Sequence, residues 1–148
     1  MEMKLNIPLD EDGFIEMECD FCKNRFMLHE SVFQDESYLH FFCPICGLPS
    51  DTGSFYCEEV IEAAERMTIN YMYDEIERTL GRTMRDINKS GFLKMKMNRP
   101  KREPIKELYK PQNMYRLIHQ SCCGVDVKVT GFDAEIGIYC PTCGGAKL

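Results

Sequence analysis

Hydrophobic and polar residues alternate along two groups of short segments, one near each end of the chain, and a period of two predicts β-strands. The N-terminal group covers residues 14–18, 25–29 and 38–42, with a polar loop over 30–37. The C-terminal group covers residues 114–118, 125–129 and 135–139. Each group is large enough for one small antiparallel sheet, so the pattern predicts two small sheets of similar design.

The apolar period lengthens to between three and five residues in the middle of the chain, which predicts one amphipathic helix over about 58–89. Ser90 and Gly91 end this helix, and Gly81 is a point at which it can bend. At ~1.5 Å per residue the helix is ~45 Å long, which is more than one small sheet can cover. We therefore expect its apolar stripe to contact a second copy of the chain or a partner protein, in preference to the C-terminal strands. The stripe consists of Val60, Ala64, Met67, Tyr71, Ile76, Leu80, Met84 and Ile87.

Residues 91–113 differ from the rest of the chain, because they combine prolines with many basic side chains. Pro100, Pro104 and Pro111 exclude a continuous helix, so we predict an extended arm. The segment has seven basic and two acidic residues, a net charge of +5, whereas residues 1–57 have a net charge of −8. Lysine and arginine between apolar residues can follow the phosphates of a nucleic acid. The candidates for this contact are Lys94, Lys96, Arg99, Lys101 and Arg102.

Two Cys-x-x-Cys pairs near the N-terminus carry the clearest chemical signal. Cys19 and Cys22 form the first pair, Cys43 and Cys46 form the second, and twenty residues separate the two pairs. Two thiolates at positions i and i+3 of a tight turn point at one centre, and two such turns make a tetrahedral cage with Zn–S distances of about 2.3 Å. The spacing favours a structural zinc site over disulfides or unconnected buried thiols.

The C-terminal cysteines are less regular. Cys140 and Cys143 form a Cys-Pro-x-Cys-Gly pair like the one at Cys43, but the partner segment, residues 119–124, reads HQSCCG. In this segment His119 and Cys122 have the i, i+3 spacing of a Cys₃His site. A glycine follows Cys123, as one follows Cys143, and this favours Cys123 as a ligand. The second zinc is therefore assigned to Cys140 and Cys143 with ligands from His119, Cys122 and Cys123, and the choice among these three stays open.

The composition narrows the class of protein. Nine cysteines in a 148-residue chain of net charge −6 suit small domains that need metal to fold. Residues 1–12 lack the apolar core of a signal peptide, and no apolar run reaches the ~18–20 residues of a membrane span. We therefore expect a cytoplasmic protein without membrane contact. Cys57 is left over, and we expect it to be a buried structural residue.

Motifs for catalysis are missing from the sequence, which has no Gly-rich phosphate loop, no nucleophile elbow and no deaminase-type His-x-Glu motif. A cage that is closed by four thiolates also lacks the open position at which a catalytic zinc binds water. We therefore expect neither an enzyme nor a small-molecule substrate.

The two Cys-Pro-x-Cys-Gly motifs, at Cys43 and Cys140, resemble the zinc ribbons of transcription-factor IIB and rubredoxin-like proteins. Residues 7–14, IPLDEDGF, followed by Cys19 and Cys22, also resemble the opening of a group of uncharacterised bacterial proteins with two zinc ribbons. The first resemblance implies the metal-binding fold. The second implies a bacterial cytoplasm and brings no established activity.

These observations predict an α+β protein in which two small antiparallel zinc ribbons are joined by a long amphipathic helix and a basic linker. The segments are an N-terminal ribbon over 1–57, the helix over 58–90, the linker over 91–113 and a C-terminal ribbon over 114–148. We expect two Zn²⁺ ions per chain and a non-catalytic adaptor or accessory role, with a protein partner or homodimer at helix 58–89. The alternative is a regulatory nucleic-acid-binding protein that uses the basic linker and the second ribbon.

Overall fold

The computed structural model describes residues 3–111 and 114–145. The predicted segments also include residues 1–2, 112–113 and 146–148, which lie outside the described residues. Two compact units divide the chain: the first comprises the part up to Val60 and the part from Leu108 onward, and the second comprises Ile61–Glu107. Within the described residues, no helix has both the length and the apolar character needed to cross a bilayer.

In the part of the chain that the structure describes, the first unit contains six strands in two antiparallel sheets, and together with the helices this confirms the predicted α+β class. The strands are β1 (Phe14–Glu18), β2 (Arg25–His29), β3 (His40–Phe42), β4 (Pro49–Asp51), β5 (Tyr115–Gln120) and β6 (Val125–Thr130). The larger sheet has the order β1-β2-β6-β5, and the smaller sheet pairs β3 with β4. The N-terminal and C-terminal hairpins therefore share one sheet, although about 100 residues of sequence separate them.

The join between the hairpins is the pairing of β2 with β6. Met27 lies opposite Lys128 and Leu28 lies opposite Val127 in this antiparallel pair. No pattern or motif in the sequence predicts this pairing. As a result, β2 and β6 are internal strands of the sheet, and each covers what would otherwise be an edge of the other half.

The core of the first unit takes side chains from both halves. Val127 and Val129 of β6 are fully buried together with Phe26 of β2. Phe26 and Phe55 meet edge to face, with ring centroids 5.7 Å apart. Because the apolar residues of both hairpins contribute to one cluster, the two halves stabilise each other by burial of shared surface.

Two short helices occupy positions where the sequence analysis predicts other structure. Helix α1 (Glu30–Phe33) lies within the predicted loop, and the ring of His29 accepts a hydrogen bond from the Ser31 N–H. A final helix (Gly131–Ile136) replaces the first part of the predicted strand over 135–139, so that prediction is wrong. The Oγ1 atom of Thr130 accepts a hydrogen bond from the Asp133 N–H at 3.2 Å and caps this helix.

The long predicted helix is confirmed as α2 (Glu58–Lys89), and the final helix is therefore α3. Helix α2 begins in the first unit and provides most of the second. Glu58 and Glu59 lie in its first turn and Lys89 lies in its last turn, which matches the sign of the helix dipole at each end. The backbone remains helical through Gly81.

Residues 91–107, called the return arm, run back along α2 within the second unit. Near the C-terminus of the helix, Asn88 Oδ1 accepts a hydrogen bond from the Met95 N–H at 2.8 Å. Asn70 Nδ2 donates to the Glu103 carbonyl at 3.0 Å. From Asn70 to Asn88 the helix advances 18 positions, which is ~27 Å at ~1.5 Å per residue. The arm advances only eight positions from Met95 to Glu103, and these span ~26–29 Å only when the backbone is extended. The return arm is therefore close to fully extended, as its prolines predict.

Candidate metal centres

The first centre consists of Cys19, Cys22, Cys43 and Cys46, which lie on two tight turns. After β1 the chain turns back on itself, and the Lys23 N–H donates to the Cys19 carbonyl at 2.9 Å. After β3 the Gly47 N–H donates to the Cys43 carbonyl at 2.8 Å. Lys23 and Gly47 both have positive φ, 59° and 74°, which closes each turn. We call each such turn a knuckle.

The sulfur geometry of the first centre matches a tetrahedral metal site. Cys19 Sγ lies 3.7 Å from Cys46 Sγ, and Cys22 Sγ lies 3.6 Å from Cys43 Sγ. A tetrahedron with metal–sulfur bonds of about 2.3 Å has edges of ~3.8 Å. The backbone N–H groups of Ile45 and Cys46 point at Cys43 Sγ from 3.4 and 3.5 Å. These donors would stabilise a thiolate at that position.

Burial sets the electrostatics of the first centre. It raises the pKa of the Cys43 thiol well above its ordinary value, although the N–H groups of Cys46 and Ile45 oppose this shift. Four thiolates this close together repel one another, so they need a cation at their centre. A divalent metal supplies that charge, and binding of the metal then releases the thiol protons.

The second centre consists of Cys122, Cys123, Cys140 and Cys143, whose sulfur atoms all lie within 4.8 Å of one another. Cys122 Sγ is 3.6 Å from Cys143 Sγ, which again fits a tetrahedral edge. His119 is outside this group, because its Nδ1 atom lies 2.7 Å from Asp126 Oδ1. Of the ligand sets left open by the sequence, the structure assembles the one with both adjacent cysteines and without the histidine.

The front knuckle of the second centre explains why two adjacent cysteines take part. The Gly124 N–H donates to the Gln120 carbonyl at 2.8 Å, as the Lys23 N–H does to the Cys19 carbonyl. Gly124 has a φ of 66°, close to that of Lys23. Gln120 therefore stands at the knuckle position of Cys19. Cys123 corresponds to Cys22, and the fourth sulfur comes from Cys122, which corresponds to Phe21.

The back knuckle of the second centre has the same hydrogen bonds as that of the first. The Gly144 N–H donates to the Cys140 carbonyl at 2.8 Å, and the Cys140 N–H donates to the Gly145 carbonyl at 2.8 Å. Burial alone would raise the pKa of Cys140, but the Thr142 hydroxyl and the N–H groups of Cys143 and Thr142 lower this pKa to about 7. This sulfur is therefore prepared to be a metal-binding thiolate near neutral pH.

The two back knuckles contact each other directly. The Phe42 N–H donates to the Pro141 carbonyl and the Tyr139 N–H donates to the Pro44 carbonyl, both at 2.8 Å. The Phe42 ring covers Gly144, where an added Cβ would lie 2.8 Å from the ring. The Tyr139 ring covers Gly47 in the same way, at 3.1 Å. This reciprocal contact is absent from the sequence-based predictions, although an aromatic residue stands before each Cys-Pro-x-Cys-Gly motif.

Cys57, the ninth cysteine, belongs to neither centre. It is buried, and its Sγ donates to the Glu16 carbonyl at 3.4 Å. Burial raises the pKa of Cys57 to about 12, which keeps it a neutral thiol. This environment matches the predicted structural cysteine.

The basic candidates lie on the return arm of the second unit. Lys94, Lys96, Arg99 and Lys101 are exposed. Arg102 differs, because it forms an ion pair with Asp74 and lies 3.7 Å from a carboxylate oxygen of Glu77. Arg102 therefore holds the arm to α2, and the other four side chains extend into solvent.

No family model, curated protein or solved structure matches this chain significantly. The class of the molecule therefore follows from its own fold and chemistry. It is an α+β protein with two ribbon-like halves and two four-cysteine groups, each of which could hold one metal ion and is compatible with zinc.

Proposed function

We propose that this chain is a non-catalytic zinc-binding adaptor or accessory protein of the zinc-ribbon type, with one Zn²⁺ in each centre. Four soft thiolates in tetrahedral arrangement suit Zn²⁺ better than they suit hard divalent cations such as Mg²⁺ or Ca²⁺. Four sulfur ligands also leave no position for a reacting water, which supports a structural role. The proposed compartment is a reducing cytoplasm, of bacterial type by the ribbon resemblance, where thiols remain available to metal.

The adaptor role is supported by four large apolar side chains of α2 that are about half exposed: Ile69 by 45%, Met72 by 56%, Ile76 by 46% and Leu80 by 47%. Of the predicted stripe, only Ile76 and Leu80 are exposed, and its other six residues are partly buried. From here on, the stripe means the four exposed side chains. The spacing of three and four residues places them on one side of the helix. Residues Asn70 and Asp74, which contact the return arm, lie on a different side of the helix from these four side chains.

The occupant we propose for the stripe is a second copy of the chain. Covering the exposed half of eight side chains, four from each copy, contributes ~6–12 kcal/mol at half of the full-burial value. Association costs of ~4–15 kcal/mol oppose this gain. We therefore expect a dimer that dissociates on dilution.

Sedimentation velocity over a range of concentrations tests this proposal. The wild-type protein is expected to shift from monomer to dimer with concentration, and Leu80→Asp is expected to remain a folded monomer. Arg82→Asp, which also places a carboxylate on the exposed part of α2, is the matched control and should dimerise. A wild-type monomer at every concentration, or a dimer unaffected by Leu80→Asp, would contradict the proposed homodimer and leave a different protein as the partner to test.

Nucleic-acid binding is the second candidate function, and it is favoured by the exposed basic side chains of the return arm. Phe92, which is 97% exposed, lies two residues before Lys94 and could stack on a base. Fluorescence anisotropy with single-stranded RNA and DNA at two salt concentrations tests this function. Replacing Lys94, Lys96, Arg99 and Lys101 by alanine should abolish binding and its salt dependence, because each phosphate contact contributes ~0.7 to the slope. If the wild type does not bind, or if the variant binds equally well, this candidate fails.

A further inference from the structure

The two centres share one design but differ at the positions around their sulfur atoms. In the back knuckles, Thr142 stands where the first centre has Ile45, one residue before the second cysteine of each pair. In the front knuckles, Gln120 stands where the first centre has Cys19. The second centre therefore has a polar residue, Thr142, in place of an apolar neighbour, and another, Gln120, in place of a buried ligand.

The exposure of the ligands differs between the centres. In the first centre, Cys19 and Cys43 are completely buried and the other two cysteines are partly buried. In the second centre, Cys140 is the one buried ligand among the four, and Cys122, Cys123 and Cys143 are exposed. Three of the four ligand residues of the second centre are therefore accessible to a competing ligand in solution, whereas two ligand residues of the first centre are not.

The groups beside the sulfur atoms are also more polar in the second centre than in the first. The Ile45 side chain packs against the core cluster that includes Cys19 and Cys43, so hydrocarbon lies beside the first centre. At the corresponding position Thr142 Oγ1 lies 3.2 Å from Cys140 Sγ, so a hydroxyl replaces the hydrocarbon. A hydrogen bond to a thiolate sulfur draws charge away from its bond to the metal, and the outer shell of a site controls its solvent access.

Gln120 is a second, independent sign that the second centre is not a copy of the first. Its side chain is 96% buried, and its Nε2 atom has no hydrogen-bond partner within the described part of the chain. A buried amide donor without an acceptor is unfavourable. Because Cys19 corresponds to Gln120, the side chain that leaves the backbone at this position contributes no sulfur, and the missing ligand comes from the exposed Cys122.

From these differences we infer that the second centre is an exchangeable site for a thiophilic divalent cation, whereas the first centre releases its metal much more slowly. The cation enters and leaves through the exposed face formed by Cys122, Cys123 and Cys143. Zn²⁺ is the expected occupant, and Cd²⁺ should replace it at this centre first, because an all-sulfur site selects soft cations. This inference rests on the zinc-binding part of the proposed function.

Chelator competition on the full-length, zinc-loaded protein tests the inference. The protein is kept under reducing agent and mixed with excess of a coloured zinc chelator, and native mass spectrometry counts the zinc left on the chain. We expect release in two phases of one zinc each, with rates at least about tenfold apart, the scale of outer-shell effects on metal sites.

Two reciprocal substitutions assign the phases without removing a ligand. Thr142→Ile restores the hydrocarbon neighbour and should slow the fast phase alone. Ile45→Thr introduces the hydroxyl at the first centre and should accelerate the slow phase alone. Release of both ions at one rate, or a fast phase that responds to Ile45→Thr and not to Thr142→Ile, would overturn the inference. A chain that carries no zinc would instead refute the proposed function itself, so the two failures are distinguishable.

Discussion

Replacing Gly144 by alanine tests whether the two back knuckles form one packed body. Gly144 has a φ of 72°, and an added Cβ would lie 2.8 Å from the Phe42 ring. Gly124 is the matched control, because it also has a positive φ, of 66°, also follows a ligand of the second centre, and has no atom within 4 Å of an added Cβ. The two substitutions therefore share the backbone strain and differ in the contact.

The expected magnitudes follow from these two observations. A left-handed backbone at a non-glycine residue costs ~1–2 kcal/mol, so Gly124→Ala should lower the free energy of unfolding by that amount. Gly144→Ala has the same strain and also forces the Phe42 ring to move, and overpacking of this kind costs ~1–3 kcal/mol. We expect a total loss of ~2–5 kcal/mol for Gly144→Ala.

Urea denaturation of the zinc-loaded proteins, followed by circular dichroism, measures these losses. A double-mutant cycle isolates the contact, because Phe42→Ala removes the ring and should recover most of the additional loss in Gly144→Ala. It should recover nothing in Gly124→Ala. Equal losses for the two glycine variants, or no coupling between Phe42 and Gly144, would refute the packing of one knuckle on the other.

Three further predictions concern the cysteines and the cap of α3. Cys43→Ser should unfold the first unit, because it opens the thiolate cage, whereas Cys57→Ser should remain folded with full zinc content; circular dichroism and metal analysis of both proteins check this. Between pH 8.5 and about 12, Cys57 should make wild-type stability fall by up to ~1.4 kcal/mol per pH unit relative to Cys57→Ser. The raised pKa keeps Cys57 a thiol in the folded protein, whereas the unfolded chain loses the proton. The stabilising contribution of Cys57 is therefore complete below the unfolded pKa and is lost as the pH rises. Urea titrations of both proteins across this range measure the loss, and parallel stability curves would refute it. Thr130→Ala should cost ~1 kcal/mol through loss of the α3 cap, and an unchanged urea midpoint would show that the cap contributes nothing.

Local pattern was sufficient to predict the elements whose causes are local. The alternation over 14–18 and 25–29 predicts strands where the structure has β1 and β2, and the apolar spacing of three to five residues over 58–89 predicts α2 with the same ends. The α3 helix was missed, although Thr130 and Asp133 have the spacing of a helix cap. The alternation over 135–139, which predicts a strand, competes there with this capping signal.

The arrangement of the halves could not be predicted in the same way. The pairing of β2 with β6 joins residues that are about 100 positions apart, and either edge of each hairpin presents the same row of backbone donors and acceptors. The ligand set of the second centre could not be predicted either. Spacing alone allows His119 to pair with Cys122, whereas in the structure Gln120 stands at the position of Cys19 and Cys122 provides the fourth sulfur. Only the hydrogen bond from Gly124 to Gln120 shows which residues occupy the corresponding knuckle positions.

Each chain is expected to bind two metal ions, and native mass spectrometry of the full-length protein counts them directly. We expect a folded species whose mass exceeds that of the acid-denatured chain by the mass of two zinc ions, less the mass of the protons that the thiols release. Cys143→Ser should lower the count to one, because it removes a ligand of the second centre and leaves the first intact. A chain that folds without metal, or a wild-type chain that carries a single ion, would contradict the assignment of one zinc to each four-cysteine centre.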